Sequence, residues 1–131
     1  MIRRRLTMKL ITVKLQGKEV QADLLNPKVT KRFEDGFDEV LEKFKASTGD
    51  ESISGSEGIR MQCQAVIDYV TDIFGEDGAK EVFGDKTDLL TCLDVLKEMQ
   101  ELYPSQVNPL VREKSNALKR KLSGKPEAGE A

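Results

Sequence analysis

The chain has 131 residues, a formal net charge of −2, 34% charged and 38% apolar residues, and neither His nor Trp. One compact domain fits that length, and the missing histidine removes His-dependent triads, His metal sites and the usual near-neutral proton shuttle. No apolar run approaches the ~18 residues of a membrane span, and two cysteines, Cys63 and Cys92, make neither a disulfide framework nor a Cys-x-x-Cys pair.

Residues 1–7, Met-Ile-Arg-Arg-Arg-Leu-Thr, read as an extension or expression remnant ahead of a second start at Met8. Lys14 breaks the apolar stretch that would have to follow in a secretory signal. From Met8 to Ala22 the alternation of Ile11, Val13 and Leu15, then Val20 and Ala22, predicts a β-hairpin turning at Gln16-Gly17. An isolated hairpin is marginal in water, so this one has to pack on something.

Asn26-Pro27 is a helix start, with Asn as cap and Pro in the first turn. Val29, Phe33, Phe37, Val40, Leu41 and Phe44 then form an apolar stripe to about Ser47-Thr48-Gly49. Gly36 inside this stripe suggests a close helix crossing or a slight kink. A polar loop leads to Ser54, whose spacing to Glu57 matches a capping box. The second helix carries Ile59, Cys63, Val66, Ile67, Val70, Ile73 and Phe74 and is expected to stop at Gly75. Between Phe74-Gly75 and Phe83-Gly84 the sequence predicts one short helical turn capped by Asp77. The third helix is expected from Asp85 or Thr87, with Leu89, Leu93, Leu96 and Met99 inward and Pro104 as its end. Asn108-Pro109 repeats the cap-plus-Pro signal, and a fourth helix runs from about Leu110 to Leu122. Residues 123–131 read as a disordered tail. The fold class is therefore mainly α, four helices plus a short helical turn with an N-terminal β-hairpin, in one domain over residues 8–122.

No catalytic, cofactor or metal constellation emerges. The carboxylate pairs Asp35/Glu39 and Asp68/Asp72 read as solvated helix surface. No EF-hand loop and no phosphate-binding Gly-Lys-Ser/Thr is present. Ser54 and Ser56 read as helix caps. Tyr69 and Tyr103 are expected at the core edge with wet hydroxyls, and both cysteines as buried, reduced thiols.

Charge is segregated. Residues 1–22 carry six basic side chains and one acid, residues 23–102 nine basic and nineteen acidic, and residues 103–131 six basic and three acidic. An acidic body disfavours nucleic acid as the main partner. The fourth helix combines a narrow apolar face with a basic one. Leu110, Val111, Arg112, Leu118, Lys119, Lys121 and Leu122 are its candidate partner-binding residues, for docking on a neighbouring copy or on a client chain. Pro104 and Asn108-Pro109 are expected to separate this helix from the body and let it swing.

The hairpin with Gly17-Lys18-Glu19, the amphipathic helix after it, the Phe74-Gly75 to Phe83-Gly84 connection, the Leu-rich helix and the Lys-rich tail with its Pro and Gly form a recognisable set. Over roughly residues 8–122 this set resembles the small tail-assembly chaperone-like proteins of phages and prophages in Gram-positive bacteria. The resemblance implies a non-enzymatic protein of the host cytoplasm, absent from the finished virion. It would bind the long, helical tape-measure protein and keep it soluble until tail-tube subunits polymerise around it. It also implies, as further partners, copies of itself and a frameshifted longer form of itself. No family residue role maps onto a position here. The competing readings are a structural tail-completion or head–tail connector protein and a small nucleic-acid-binding regulator.

Overall fold

The computed structural model describes residues 9–123. The extension over residues 1–7, the Met8 start and the tail from residue 124 lie outside the described residues. In chain order the elements are β1 (Ile11–Leu15), β2 (Lys18–Ala22), α1 (Pro27–Gly49), α2 (Gly55–Phe83), α3 (Leu89–Gln100), a π-helical segment (Tyr103–Val107) and α4 (Asn108–Ser123). This is the mainly helical fold with an N-terminal hairpin that the periodicities predict. Ser123, expected in the tail, closes α4 instead.

The hairpin pairs Leu15 with Lys18 and Ile11 with Ala22. Gln16 (φ 55°) and Gly17 (φ 75°) both take the left-handed conformation, which a two-residue turn needs to match the twist of its strands. Val13, Leu15, Val20 and Ala22 point into the core. The outer edge of β1 is occupied from the far end of the chain. The Gln106 side chain accepts from the Lys14 N–H at 2.8 Å and donates to the Lys14 carbonyl at 3.0 Å. One Glu98 carboxylate oxygen accepts from both the backbone N–H (2.9 Å) and the side-chain amide (2.8 Å) of Gln16. Side chains thus satisfy strand groups that would otherwise template further pairing.

Asn26 caps α1 by accepting from the Lys28 N–H at 3.1 Å, with Pro27 in the first turn. The core-facing row of α1 is Phe33, Gly36, Val40 and Ser47, which rotates the expected stripe. Phe37 and Phe44 are half-buried and Leu41 is exposed. The cause is the crossing with α2. A Cβ on Gly36 would lie 2.7 Å from two ring carbons of Tyr69, so the helices meet at the glycine. The Tyr69 hydroxyl donates to the Phe33 carbonyl at 2.7 Å, and that of Tyr103 to the Leu24 carbonyl. Neither hydroxyl is left to water as expected, and burial raises the pKa of both. Phe33 sits between them, 5.7 Å from the Tyr69 ring and 4.8 Å from that of Tyr103.

Ser54 caps α2 through the Glu57 N–H at 3.2 Å. The Glu57 carboxylate turns forward to Arg60, so the reciprocal half of the expected box is replaced by an ion pair. Ile59, placed on the core stripe by its spacing, is exposed. Gly75 (φ 83°, ψ 171°) breaks α2 for one residue, and Gly84 (φ 71°) ends it. The helix resumes immediately after Gly75, so Asp77 lies inside the second stretch and does not cap it. Phe74 and Phe83, one on each side of the break, both reach the core.

Asp88 caps α3 by accepting from the Thr91 N–H at 2.8 Å, which sets the start at Leu89 rather than at Asp85 or Thr87. Its core row is Cys92, Val95, Leu96 and Met99, while Leu93 is exposed. The packing of α3 on α2 brings together two cysteines 29 positions apart, with the Cys92 sulfur 4.0 Å from the Cys63 carbonyl. Both are free thiols; Cys92 is buried and Cys63 half-buried.

Pro104 does not terminate the helical path. Leu102 and Asn108 both keep right-handed helical dihedrals, and the Asn108 N–H donates to the Tyr103 carbonyl five residues back. Pro104 and Pro109 each lack an N–H and crowd the carbonyl four positions upstream. The ladder between them accommodates this by widening to a π turn. Asn108 is accordingly a helical residue and not a cap. Leu102 and Val107 are fully buried on either side, so α4 leaves the body on an anchored turn and not through a loose linker.

Candidate partner-docking groove

Every residue of α4 from Asn108 to Leu122 is exposed. The main contacts of the helix are those along the chain with the π-helical segment that launches it. It still presents an amphipathic face, and that face looks across an open groove of about 880 Å³. One wall is α4, through Leu110, Val111, Lys114, Ser115 and Leu118. The other wall is built from the approach to β1 (Lys9, Leu10, Ile11) and the β2–α1 connection with the first turn of α1 (Asp23, Leu25, Asn26, Pro27). Leu118 is 57% and Leu10 59% exposed, so large apolar side chains on both walls face solvent. Contiguous exposed apolar surface of this kind marks an interaction site more often than does a scattered Leu.

Local chemistry explains why the groove stays open. Asn26 and Pro27 start α1, and Leu24, two residues before Asn26, is fully buried. Leu25 is thereby turned outward. On the other wall Gln106 holds the π turn against Lys14, which fixes the base of α4 beside β1 while the rest of α4 projects past it. Asp23, the single carboxylate of the lining, accepts from the Asn26 side-chain amide at 3.0 Å. Lys9 and Lys114 make no ion pair among the described residues.

Of the residues that the sequence singles out on the fourth helix, Leu110, Val111 and Leu118 line the groove. Leu122, one turn beyond Leu118, continues the seam past the groove's end and is 77% exposed. Arg112 and Lys119, seven positions apart, share one flank of the seam, and Lys121 lies toward the other. Sequence reasoning missed Lys114 and Ser115, which sit mid-seam, and the entire opposite wall. Leu25 carried a signal, being an apolar residue that fits neither the strand alternation before it nor the helix stripe after it. The approach of Leu10 to α4 is a tertiary event with no sequence signal.

The carboxylate pairs considered in the sequence are surface features. Asp35 pairs with Lys31 at 3.0 Å, Asp72 lies 3.7 Å from Arg32, and Asp68 accepts from Gln64 at 2.8 Å. Among the described residues no cluster of three His, Cys, Asp or Glu side chains is placed to hold a metal ion, and no helix is long and apolar enough to cross a membrane.

The chain belongs to a family of unknown function (DUF6673), whose pattern matches residues 16–125. No curated protein and no solved structure matches it.

Proposed function

We propose that this member of the family is a non-enzymatic tail-assembly chaperone of a phage or prophage, acting in the host cytoplasm on the tape-measure protein. The observation that carries the reading is α4, an amphipathic helix launched from an anchored turn and exposed from Asn108 to Leu122, facing a second apolar wall across an open groove. A helix-in-groove site gives affinity by burying an amphipathic partner's stripe. A long, helical tape-measure chain offers many such stripes, and several copies bound along it gain avidity from individually weak contacts. The resemblance of residues 8–122 to tail-assembly chaperones supplies the client's identity; the groove supplies a means of holding it.

A connector or tail-completion protein would remain in the particle at fixed stoichiometry. Co-expression with the tape-measure protein of the same genome, followed by pull-down and by mass spectrometry of purified virions, tests the reading. The expected result is a soluble complex in the cell and no copy in the virion. Recovery of the chain in virions at tail or connector stoichiometry overturns it in favour of the structural role.

A further inference from the structure

The groove has a sign as well as a shape. Its lining is mostly apolar, and Lys9 on one wall and Lys114 on the other make no ion pair among the described residues. The lining's one carboxylate, Asp23, keeps its charge while accepting from the neutral Asn26 amide, so the lining carries two ammonium groups against one carboxylate. Beyond the groove, Arg112 and Lys119 extend positive charge along one flank of the α4 seam and Lys121 along the other. An occupant therefore buries apolar surface within a frame whose balance is positive.

From this we infer that the groove selects an amphipathic helix whose apolar stripe is flanked by Asp and Glu. The inference rests on the chaperone reading in taking the client to be helical, and it adds which segments of that client are held. The seam from Leu110 to Leu122 spans about 18 Å at 1.5 Å per residue, which matches about three turns of a partner helix.

Charge, shape and the apolar lining together weigh against several other occupants, while sedimentation decides on a second copy's acidic body. A second copy's α4 would set one basic helix beside another, and like charges juxtaposed across an interface are costly. The chain's own Arg3-Arg4-Arg5 would bring like charge to Lys9 and Lys114. A membrane is flat on this scale and cannot place acyl chains between two protein walls, although a basic amphipathic helix in isolation has the composition for an interface. Nucleic acid would leave the apolar lining unused, and α4 has no aromatic side chain on which a base could stack.

The test uses two fluorescein-labelled peptides of about 18 residues, long enough to be helical in isolation. They share one Leu stripe at helical spacing and differ in having Glu or Lys beside it. Binding to the full chain is read by fluorescence anisotropy at low and high salt. The Glu peptide is expected to bind about tenfold or more tightly than the Lys peptide, as two or more exposed ion pairs exchanged for repulsions would give, with the gap narrowing at high salt. The double variant Lys9→Glu/Lys114→Glu, both exposed positions, should invert the preference. Leu118→Asp should abolish binding of both peptides while leaving the melting curve in place.

Equal affinity for the two peptides, or binding of neither, overturns the inference. So does competition against the Glu peptide by vesicles of anionic phosphatidylglycerol, by duplex DNA, or by self-association of the chain in sedimentation. The two proposals fail separately. If the Glu peptide binds as expected and the tape-measure protein is not captured, the groove chemistry stands and the client assignment falls. If the tape-measure protein is captured with no charge preference among peptides, the client assignment stands and this inference falls.

Discussion

Gly36 and Gly58 lie on facing helices and answer oppositely to one added methyl. At Gly36 the new carbon would sit 2.7 Å from the Tyr69 ring, whose hydroxyl is bound to Phe33 and whose centroid lies 5.7 Å from the Phe33 ring and 6.4 Å from that of Phe37. The ring has nowhere to retreat. Gly36→Ala should destabilise by about 1–3 kcal/mol, the usual cost of overpacking, despite the gain in helix propensity. At Gly58 the nearest atom would be 3.8 Å away, so Gly58→Ala should stabilise by about 0.5–1 kcal/mol; urea unfolding of the pair reads both signs. Phe33→Ala should cost about 3–5 kcal/mol, and half-buried Phe37→Ala distinctly less, an order that sequence spacing alone would not give. At Cys92, burial pushes the thiol from its ordinary 9.0 up to about 12. The unfolded chain therefore releases this proton first. Stability is fully present below pH 9 and falls as the pH rises toward 12, with Tyr69 adding to the loss above its ordinary 10.0. Thermal melts across that window, repeated with Cys92→Ala, should show a shallower decline in the variant.

At the level of elements, the boundaries written in local chemistry were legible in the sequence. Gln16-Gly17, Asn26-Pro27, Ser54 and Gly84 each act where their residue types say they act. What was not legible comes from packing between elements. The α1 stripe turned toward Gly36 because Tyr69 lies across it. The α3 stripe turned toward Val95 because the core lies there. Pro104 reads locally as a stop, yet the buried Leu102 and Val107 hold the backbone helical through a π turn. The candidate site divides in the same way. The α4 wall shows in its own amphipathic pattern, whereas the wall made by Leu10 and Leu25 exists only once Gln106 has tied the turn to β1. That tie is testable: Gln106→Ala should speed hydrogen exchange at the Lys14 amide several-fold. Because water can replace both bonds at this exposed edge, the cost in global stability should stay near or below about 1 kcal/mol.

For the whole molecule, the central feature is the division between a body that carries the core and a helix that carries none of it. Among the described residues, every buried apolar side chain, from Val13 to Val107, precedes α4. A chain ending at residue 107 should therefore keep a melting temperature within a few degrees of the full chain while losing client binding. A chain ending at residue 104 removes Val107 and the Gln106 tie and should be measurably less stable. The basic helix and acidic body also make client capture salt-sensitive. Hydrogen exchange of the co-expressed complex with the tape-measure protein, compared with the free chain, tests the division most directly. Protection should appear along α4 from Leu110 to Leu122 and in the segment around Leu10 and Leu25, with the outer surface of α1 around Leu41 unchanged. Protection on that α1 surface, with α4 exchanging as fast as in the free chain, would contradict the account.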